Sequence, residues 1–269
     1  MNRIFENIKD GIAEAIFPSN IYCICCGSLI DKSRPYALCD LCVKKFHWIA
    51  GRTCEKCGKA LPDTYRGRLC YDCIRLDHVF EKGFSCLTYG LHEREVLLDH
   101  KYNGKGYMAA KFGDILYDRI SCEDIRPDVI IPVPISEGRL KKRGYNQSAL
   151  MARQLSKRWG VPMDESILVR KKETTLLRSL NPADRRLVLS GAFAVRGRGK
   201  DFDEKSSGMH DDPRLTGKSV LLIDDIYTTG ATVDTCSSVL MAAGADKVYV
   251  LTLMSGGNRR PDIESDTEK

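Results

Sequence analysis

Two adjacent carboxylates followed by hydroxyls around one glycine, in the run Asp224-Asp225-Ile226-Tyr227-Thr228-Thr229-Gly230-Ala231-Thr232, are the residues of this chain whose types and spacing best suit chemistry. Ahead of them Val220 to Ile223 form a short apolar run that predicts a strand buried on both faces, and from Thr232 to Ala243 apolar residues fall at helical spacing. The pattern predicts a strand, a loop and a helix in succession. A helix start presents unpaired backbone N–H groups and the positive end of the helix dipole, Gly230 lets backbone approach a ligand closely, and three hydroxyls add donors. Such a cradle suits phosphate. Two carboxylates beside it repel a bare polyphosphate, whereas a sugar phosphate offers hydroxyls that donate to Asp224 and Asp225, with a divalent cation neutralising the remaining charge. The plainer alternative is a strand-end turn in which Asp and Thr serve only as caps.

A second constellation is a repeat. Cys23, Cys26 and Gly27, then Cys39 and Cys42, recur 31 positions later as Cys54, Cys57 and Gly58, then Cys70 and Cys73. Two CxxC pairs bring four thiolates together, and tetrahedral Zn²⁺ is the metal that four sulfurs most readily satisfy in a closed site. Each unit is too short to bury a core of its own, so metal supplies folding energy, about 10 to 16 kcal/mol for structural zinc in small fingers. We expect two structural zinc ions on these eight cysteines, paired either sequentially, one ion per unit, or interleaved with one CxxC from each. Redox pairs and buried free thiols are the alternatives, and a repeat of eight cysteines weighs against both. Cys25, beside Cys26, is expected to be no ligand, while Cys86, Cys122 and Cys236 stand alone and are expected in the core.

Charge marks two further candidates. Val129, Ile130 and Ile131 predict another buried strand ending in Pro132-Val133-Pro134, and the most basic cluster follows: Arg139, Lys141, Lys142 and Arg143, then Gly144, Tyr145, Asn146 and Gln147. Read as a basic loop before a helix, this is a second anion site, and in a parallel sheet both loops open at the same strand-end edge. Cations at a helix start are mildly unfavourable beside the dipole, which favours a bound anion over a solvated charge run. The stretch KYNGKGY interleaves basic and aromatic residues in a glycine loop; Lys101, Tyr102, Lys105 and Tyr107 are suited to neutralise and stack on single-stranded nucleic acid.

An α/β body must position these groups. Residues 84–91 read as a strand, 93–100 as a short helix, 108–120 as a helix, 196–217 as a polar surface excursion and 247–253 as a last strand. In residues 1–18, Ile4, Ile8, Ile12 and Ile16 form one stripe, and the mixed charge of the polar face suits docking on the protein's own body better than a membrane surface. We divide the chain into an N-terminal amphipathic helix (1–20), a double zinc ribbon (21–78), an α/β domain with a parallel sheet flanked by helices (79–255) and a disordered polar tail (256–269). At 269 residues and 43% apolar composition the chain buries a sizeable core, and a formal charge of +6 is too mild to identify a nucleic-acid binder. No apolar run is long enough to span a membrane, and Lys9, Asp10 and Glu14 interrupt what would be the apolar block of a signal peptide. Paired cysteines without an export signal point to reduced thiolates and a cytoplasmic protein.

The run LLIDDIYTTGAT resembles the signature of type I phosphoribosyltransferases. That resemblance implies that Asp224 and Asp225 hold the ribose hydroxyls of phosphoribosyl pyrophosphate at the catalytic centre, that Thr228, Thr229, Gly230, Ala231 and Thr232 wrap its 5-phosphate, and that Mg²⁺ accompanies it. In order along the chain, the CxxC repeats, KYNGKG, PVPISEGRLKKRGYNQ, an LVR segment, Gly191-Ala192-Phe193 and LLIDDIYTTGAT resemble the ComF family of competence proteins, with the related GntX group, from Cys23 to Leu253. This implies a type I phosphoribosyltransferase-like fold behind a double zinc ribbon, with pyrophosphate at Arg139, Lys142, Arg143 and Arg185. It also implies a role in handling single-stranded DNA during natural transformation, alongside DNA-processing competence proteins. The chain departs from the family's usual Gln and Asn at the aligned positions Leu177 and Val188. Two other functions compete: an active phosphoribosyltransferase of nucleotide-salvage type, joining a nitrogen acceptor to phosphoribosyl pyrophosphate, and a zinc-stabilised adaptor that needs no ligand.

Overall fold

The computed structural model describes residues 21–102, 108–171, 189, 191–197 and 211–258, with the backbone alone for 98–102. The N-terminal helix, the side chains of Lys101, Tyr102, Lys105 and Tyr107, Arg185, Leu177, Val188 and the tail beyond Asn258 lie outside the described residues. The chain divides into two compact units, Met1–Phe46 and His47–Lys269.

In the first unit a cysteine turn is closed by the Gly27 N–H donating to the Cys23 carbonyl (2.9 Å). Its short helix α1 (Asp40–Lys45) starts at Cys39. The sequence repeat is also a structural one. In the second unit Gly58 N–H donates to the Cys54 carbonyl (2.9 Å) and α2 (Tyr71–Arg75) starts at Cys70. Gly27 and Gly58 take φ of 73° and 75°, which is why a glycine follows the second cysteine of each turn.

The second unit then runs β1 (Lys82–Thr88), α3 (Leu91–Tyr102), α4 (Met108–Ile120), β2 (Val129–Pro132), α5 (Glu137–Arg143), α6 (Gln147–Trp159), β3 (Leu168–Arg170), β4 (Phe193–Val195), β5 (Ser219–Tyr227), α7 (Ala231–Ala242) and β6 (Lys247–Ser255). Four strands form a parallel sheet in the order β1-β6-β5-β2, and β3 and β4 pair antiparallel beside it. Val129, Ile131, Val220, Leu222, Val248 and Val250 form one buried cluster with Val233, Cys236 and Leu240 of α7. Their strand neighbours Ile130, Leu221, Ile223 and Leu251 are equally buried and point to the opposite face, against which α4 and α6 pack. A sheet covered on both faces explains the continuous apolar strand runs. Because all four strands are parallel, their C-terminal ends share one edge.

Several boundaries differ from the sequence reading. β5 continues to Tyr227, so both carboxylates stand on the strand and not in a loop; β6 pairs with it through Asp224↔Thr252 and Ile226↔Met254. The basic cluster at 139–143 is helix α5, not a loop. Glu137 occupies its first turn, Lys141, Lys142 and Arg143 its last, and Gly144 ends it at φ 80°. Cations at a helix C-terminus complement the dipole, so the electrostatic mismatch inferred from the sequence does not exist. The backbone of Lys101 and Tyr102 belongs to the end of α3, not to a loop. Cys86 and Cys236 are core residues, whereas Cys122 is exposed just beyond α4.

Candidate functional site

Both four-cysteine groups assemble, and they assemble sequentially: Cys23, Cys26, Cys39 and Cys42 form one, Cys54, Cys57, Cys70 and Cys73 the other, the sulfurs of each lying within 4.8 Å of one another. Interleaved pairing is excluded, and Cys25 belongs to neither group. A tetrahedral ion with sulfurs about 2.3 Å away sets neighbouring sulfurs about 3.8 Å apart. Cys26 and Cys39 stand at 3.7 Å, Cys57 and Cys70 at 3.6 Å, so both groups fit zinc. Backbone N–H groups support the sulfurs, Cys39 donating to Cys23 Sγ (3.4 Å) and Cys70 to Cys54 Sγ (3.2 Å). Hydrogen bonding to Ser28 holds the Cys26 thiol down at about 6, an ionised ligand at neutral pH. In the second group, hydrogen bonds from Cys57, Cys70 and Cys73 pull Cys54 well below the ordinary thiol range. Cys73 is pushed up in turn by its hydrogen bonds with Cys54, Cys57 and Cys70. Thiols this close do not all ionise unaided, Cys54 and Cys70 being lowered while Cys57 and Cys73 are raised, and a divalent cation is what lets all four ionise.

At the C-terminal edge of the sheet, Leu189, Asp224 and residues 226–233 line a hollow of about 350 Å³. Its floor is the junction between β5 and α7. Gly230 caps that helix at φ 83°, a conformation that turns the chain sharply into the helix and leaves the first N–H groups of α7 at the hollow. The Thr229 hydroxyl is buried and meets no protein partner, a donor suited to a ligand oxygen. Asp224 Oδ1 accepts from the Asp225 N–H (2.9 Å) and from Ser148 Oγ (3.3 Å). Ser148 sits in the first turn of α6, whose cap Asn146 accepts from the Ser148 N–H (3.1 Å) and donates to the Val133 carbonyl (3.0 Å) just past β2. Thus the end of β2 and the start of α6 are fastened to the carboxylate on β5.

Asp224 and the loop from Thr228 to Thr232 are therefore brought together. Asp225, the next residue on the strand, does not line the hollow. Arg139, Lys142 and Arg143 lie on α5 outside it, Arg143 donating to Gln147 Oε1 (3.2 Å). Beside α5, a groove of about 1270 Å³ runs toward β3 and β4, with Leu140, Tyr145, Arg170 and Arg196 among its lining. Ser148 and Leu189 were not singled out from the sequence: neither stands in a local pattern that sets it apart, and each reaches the site through packing.

A parallel sheet flanked by helices with a hollow at its strand ends, joined to two four-cysteine ribbons, defines the class. Residues 108–268 match the phosphoribosyl transferase domain family, to which the chain belongs, and residues 12–74 match the double zinc ribbon domain. The chain is 27% identical over 241 residues to Competence protein F of Haemophilus influenzae, covering 86% of this chain and 95% of that protein. It is 28% identical over 230 residues to Competence protein ComFC of Bacillus subtilis, covering 81% and 83%. To the DNA utilization protein YhgH of Escherichia coli O157:H7 it is 25% identical over 227 residues, covering 81% and 90%. The resemblance to the ComF family read from the motifs is borne out by these relatives. No helix among the described residues is long and apolar enough to cross a membrane.

Proposed function

We propose that this protein binds a phosphorylated ribose of the phosphoribosyl pyrophosphate class, and that it does so as a ComF-like protein that handles single-stranded DNA during natural transformation. The observation that carries the first part is the hollow between β5 and α7, where a buried Thr229 hydroxyl, a helix N-terminus and the Asp224 carboxylate converge. The 5-phosphate lies against residues 228–232, where N–H groups and hydroxyls donate to it. Asp224 accepts from the ribose hydroxyls, directly or through Mg²⁺, and Asp225, outside the lining of the hollow, joins through the same ion, whose preference for carboxylate and phosphate oxygens fits this pair. Arg139, Lys142, Arg143 and Arg185 serve the pyrophosphate end, α5 standing next to the α6 start that is bonded to Asp224. Were a transfer to occur, Mg²⁺ would supply charge neutralisation for the leaving pyrophosphate, and the cradle would hold the ribose for attack by a nitrogen nucleophile.

The DNA reading draws on the names of the relatives, which refer to competence and DNA utilization. Asp224 makes the cradle unsuited to a continuous polyanion, so DNA binds elsewhere, with Lys101, Tyr102, Lys105 and Tyr107 as the leading candidates and DNA-processing proteins as partners. Work in the cytoplasm agrees with twelve cysteines that are all free thiols, eight of them in metal-type clusters. Calorimetric titration with phosphoribosyl pyrophosphate, with and without Mg²⁺, tests the ligand; pyrophosphate release with candidate bases separates an active transferase from a binding protein.

A further inference from the structure

The phosphate cradle and the second zinc ribbon meet through one chain of buried side chains. Tyr227, the last residue of β5 and 1% exposed, places its hydroxyl 3.2 Å from His78 Nε2. His78 Nδ1 stands 2.6 Å from Asp234 Oδ2, and Asp234, in the first turn of α7, accepts the Val79 N–H on its other oxygen (3.1 Å). With both ring nitrogens engaged, the imidazole is held in one orientation. This pair forms the back wall of the cradle: a Cβ on Gly230 would stand 2.6 Å from the Tyr227 hydroxyl and 2.8 Å from His78 Cε1.

On the ribbon side, the Lys59 ammonium lies 5.4 Å from the centre of the Tyr227 ring and 2.5 Å from Asp72 Oδ2, although Lys59 is only 3% exposed. Lys59 directly follows the Cys54-to-Gly58 turn and Asp72 lies between Cys70 and Cys73, so the pair joins the two halves of one four-cysteine group. Main chain reinforces the contact. Gly256 N–H donates to the Tyr227 carbonyl (2.9 Å), and Asn258 Oδ1 accepts the N–H of Tyr71 (3.0 Å). The first ribbon lacks this pair. In the repeat, Lys59 and Asp72 correspond to Ser28 and Leu41, and Leu41 is 74% exposed. A lysine–aspartate pair with its ammonium buried is therefore not a shared feature of the two four-cysteine ribbons, and its occurrence beneath Tyr227 calls for another role.

We propose that the second ribbon is a working part of the ligand site: Tyr227, His78 and Asp234 are positioning residues that fix Gly230 and the start of α7, and the Lys59–Asp72 pair transmits the metal-held geometry of Cys54, Cys57, Cys70 and Cys73 to them. Ribose-phosphate affinity then depends on the second zinc and not on the first. The inference rests on the ribose-phosphate reading above. It follows physically because phosphate held by backbone N–H groups is sensitive to shifts of a fraction of an ångström in a helix start, and hydrogen bonds weaken steeply away from their best geometry.

The test uses the full chain, with ribose 5-phosphate and with phosphoribosyl pyrophosphate plus Mg²⁺ as probes, zinc measured by elemental analysis and folding by thermal melting. Tyr227→Phe and His78→Ala should each keep two zinc ions and weaken both probes by the same factor, about tenfold for one lost interaction to a charged or buried group. His78→Gln, which can still donate to Asp234 and accept from Tyr227, should recover most of the lost affinity. Cys26→Ser/Cys39→Ser should lose one zinc and keep wild-type affinity, while Cys57→Ser/Cys70→Ser should lose one zinc and the binding with it. If that last variant fails to fold, Tyr227→Phe and His78→Ala decide the matter. Wild-type affinity in both of these, or equal losses from the two pairs of cysteine variants, overturns the proposal. No binding to the unaltered protein overturns the ribose-phosphate reading itself, and the coupling with it.

Discussion

Asp224 and Asp225 are neighbours in sequence but have different settings. Asp224 lines the hollow and is bonded to Ser148 and to the next N–H, while Asp225 does not line it. Replacing both by Asn keeps size and removes charge. Each hydrogen bond to a charged group contributes about 1.5 to 3 kcal/mol, so the double variant should bind phosphoribosyl pyrophosphate at least about tenfold more weakly while melting near the wild-type temperature. Calorimetry with a parallel melt checks this, and the single variants should show Asp224→Asn to be the more damaging. Thiol chemistry gives a second residue-scale expectation. Burial pushes Cys86 up to about 12 and raises Cys236 as well, whereas Cys122 is exposed. With zinc bound, a maleimide at neutral pH should label Cys122 and spare Cys86 and Cys236; peptide mapping that finds the two buried thiols modified first would contradict the packing.

At the scale of elements, the two cysteine turns form a natural comparison. Gly27 and Gly58 share a positive φ, but a Cβ on Gly27 meets nothing within 4 Å while one on Gly58 would stand 2.5 Å from the Gly83 carbonyl oxygen on β1. Gly27→Ala should cost about 1 to 2 kcal/mol for the backbone conformation alone. Gly58→Ala adds a backbone clash and should lower the melting temperature clearly further; equal effects would mean that the ribbon does not pack on β1 this closely. Much of this level was legible in the sequence. The apolar run from Val220 to Ile223 marks a two-sided strand, and the 31-residue cysteine repeat marks two ribbons. The end of β5 was not legible, because Asp224 and Asp225 stay extended through long-range pairing with β6 that no local pattern carries. For α5 the signal is present in Glu137, Lys141 to Arg143 and Gly144, but a basic run before a glycine also fits an anion-binding loop, and local sequence does not separate the two. His78, Lys59 and Asp234 stand in no motif, and the one clue was that Lys59 and Asp72 break the repeat.

For the whole molecule, a phosphoribosyltransferase-type sheet offers a strand-end hollow, for which we propose a sugar phosphate, and each four-cysteine ribbon fits one zinc. Purified protein should carry about two zinc ions per chain, and Cys25→Ser should leave that number unchanged while Cys26→Ser lowers it; elemental analysis decides. Replacing Lys101, Tyr102, Lys105 and Tyr107 by Ala should weaken single-stranded DNA binding and flatten its salt dependence, with sugar-phosphate binding preserved. The reverse pattern would assign that stretch to the pocket. Everything proposed for the site depends on the β5–α7 cradle binding ribose phosphate, and calorimetric titration of the full chain with phosphoribosyl pyrophosphate addresses this most directly. Saturable binding of one ligand per chain is expected, tightened by Mg²⁺ and lost in the folded Asp224→Asn/Asp225→Asn variant; absence of binding, or the same affinity in that variant, would contradict it.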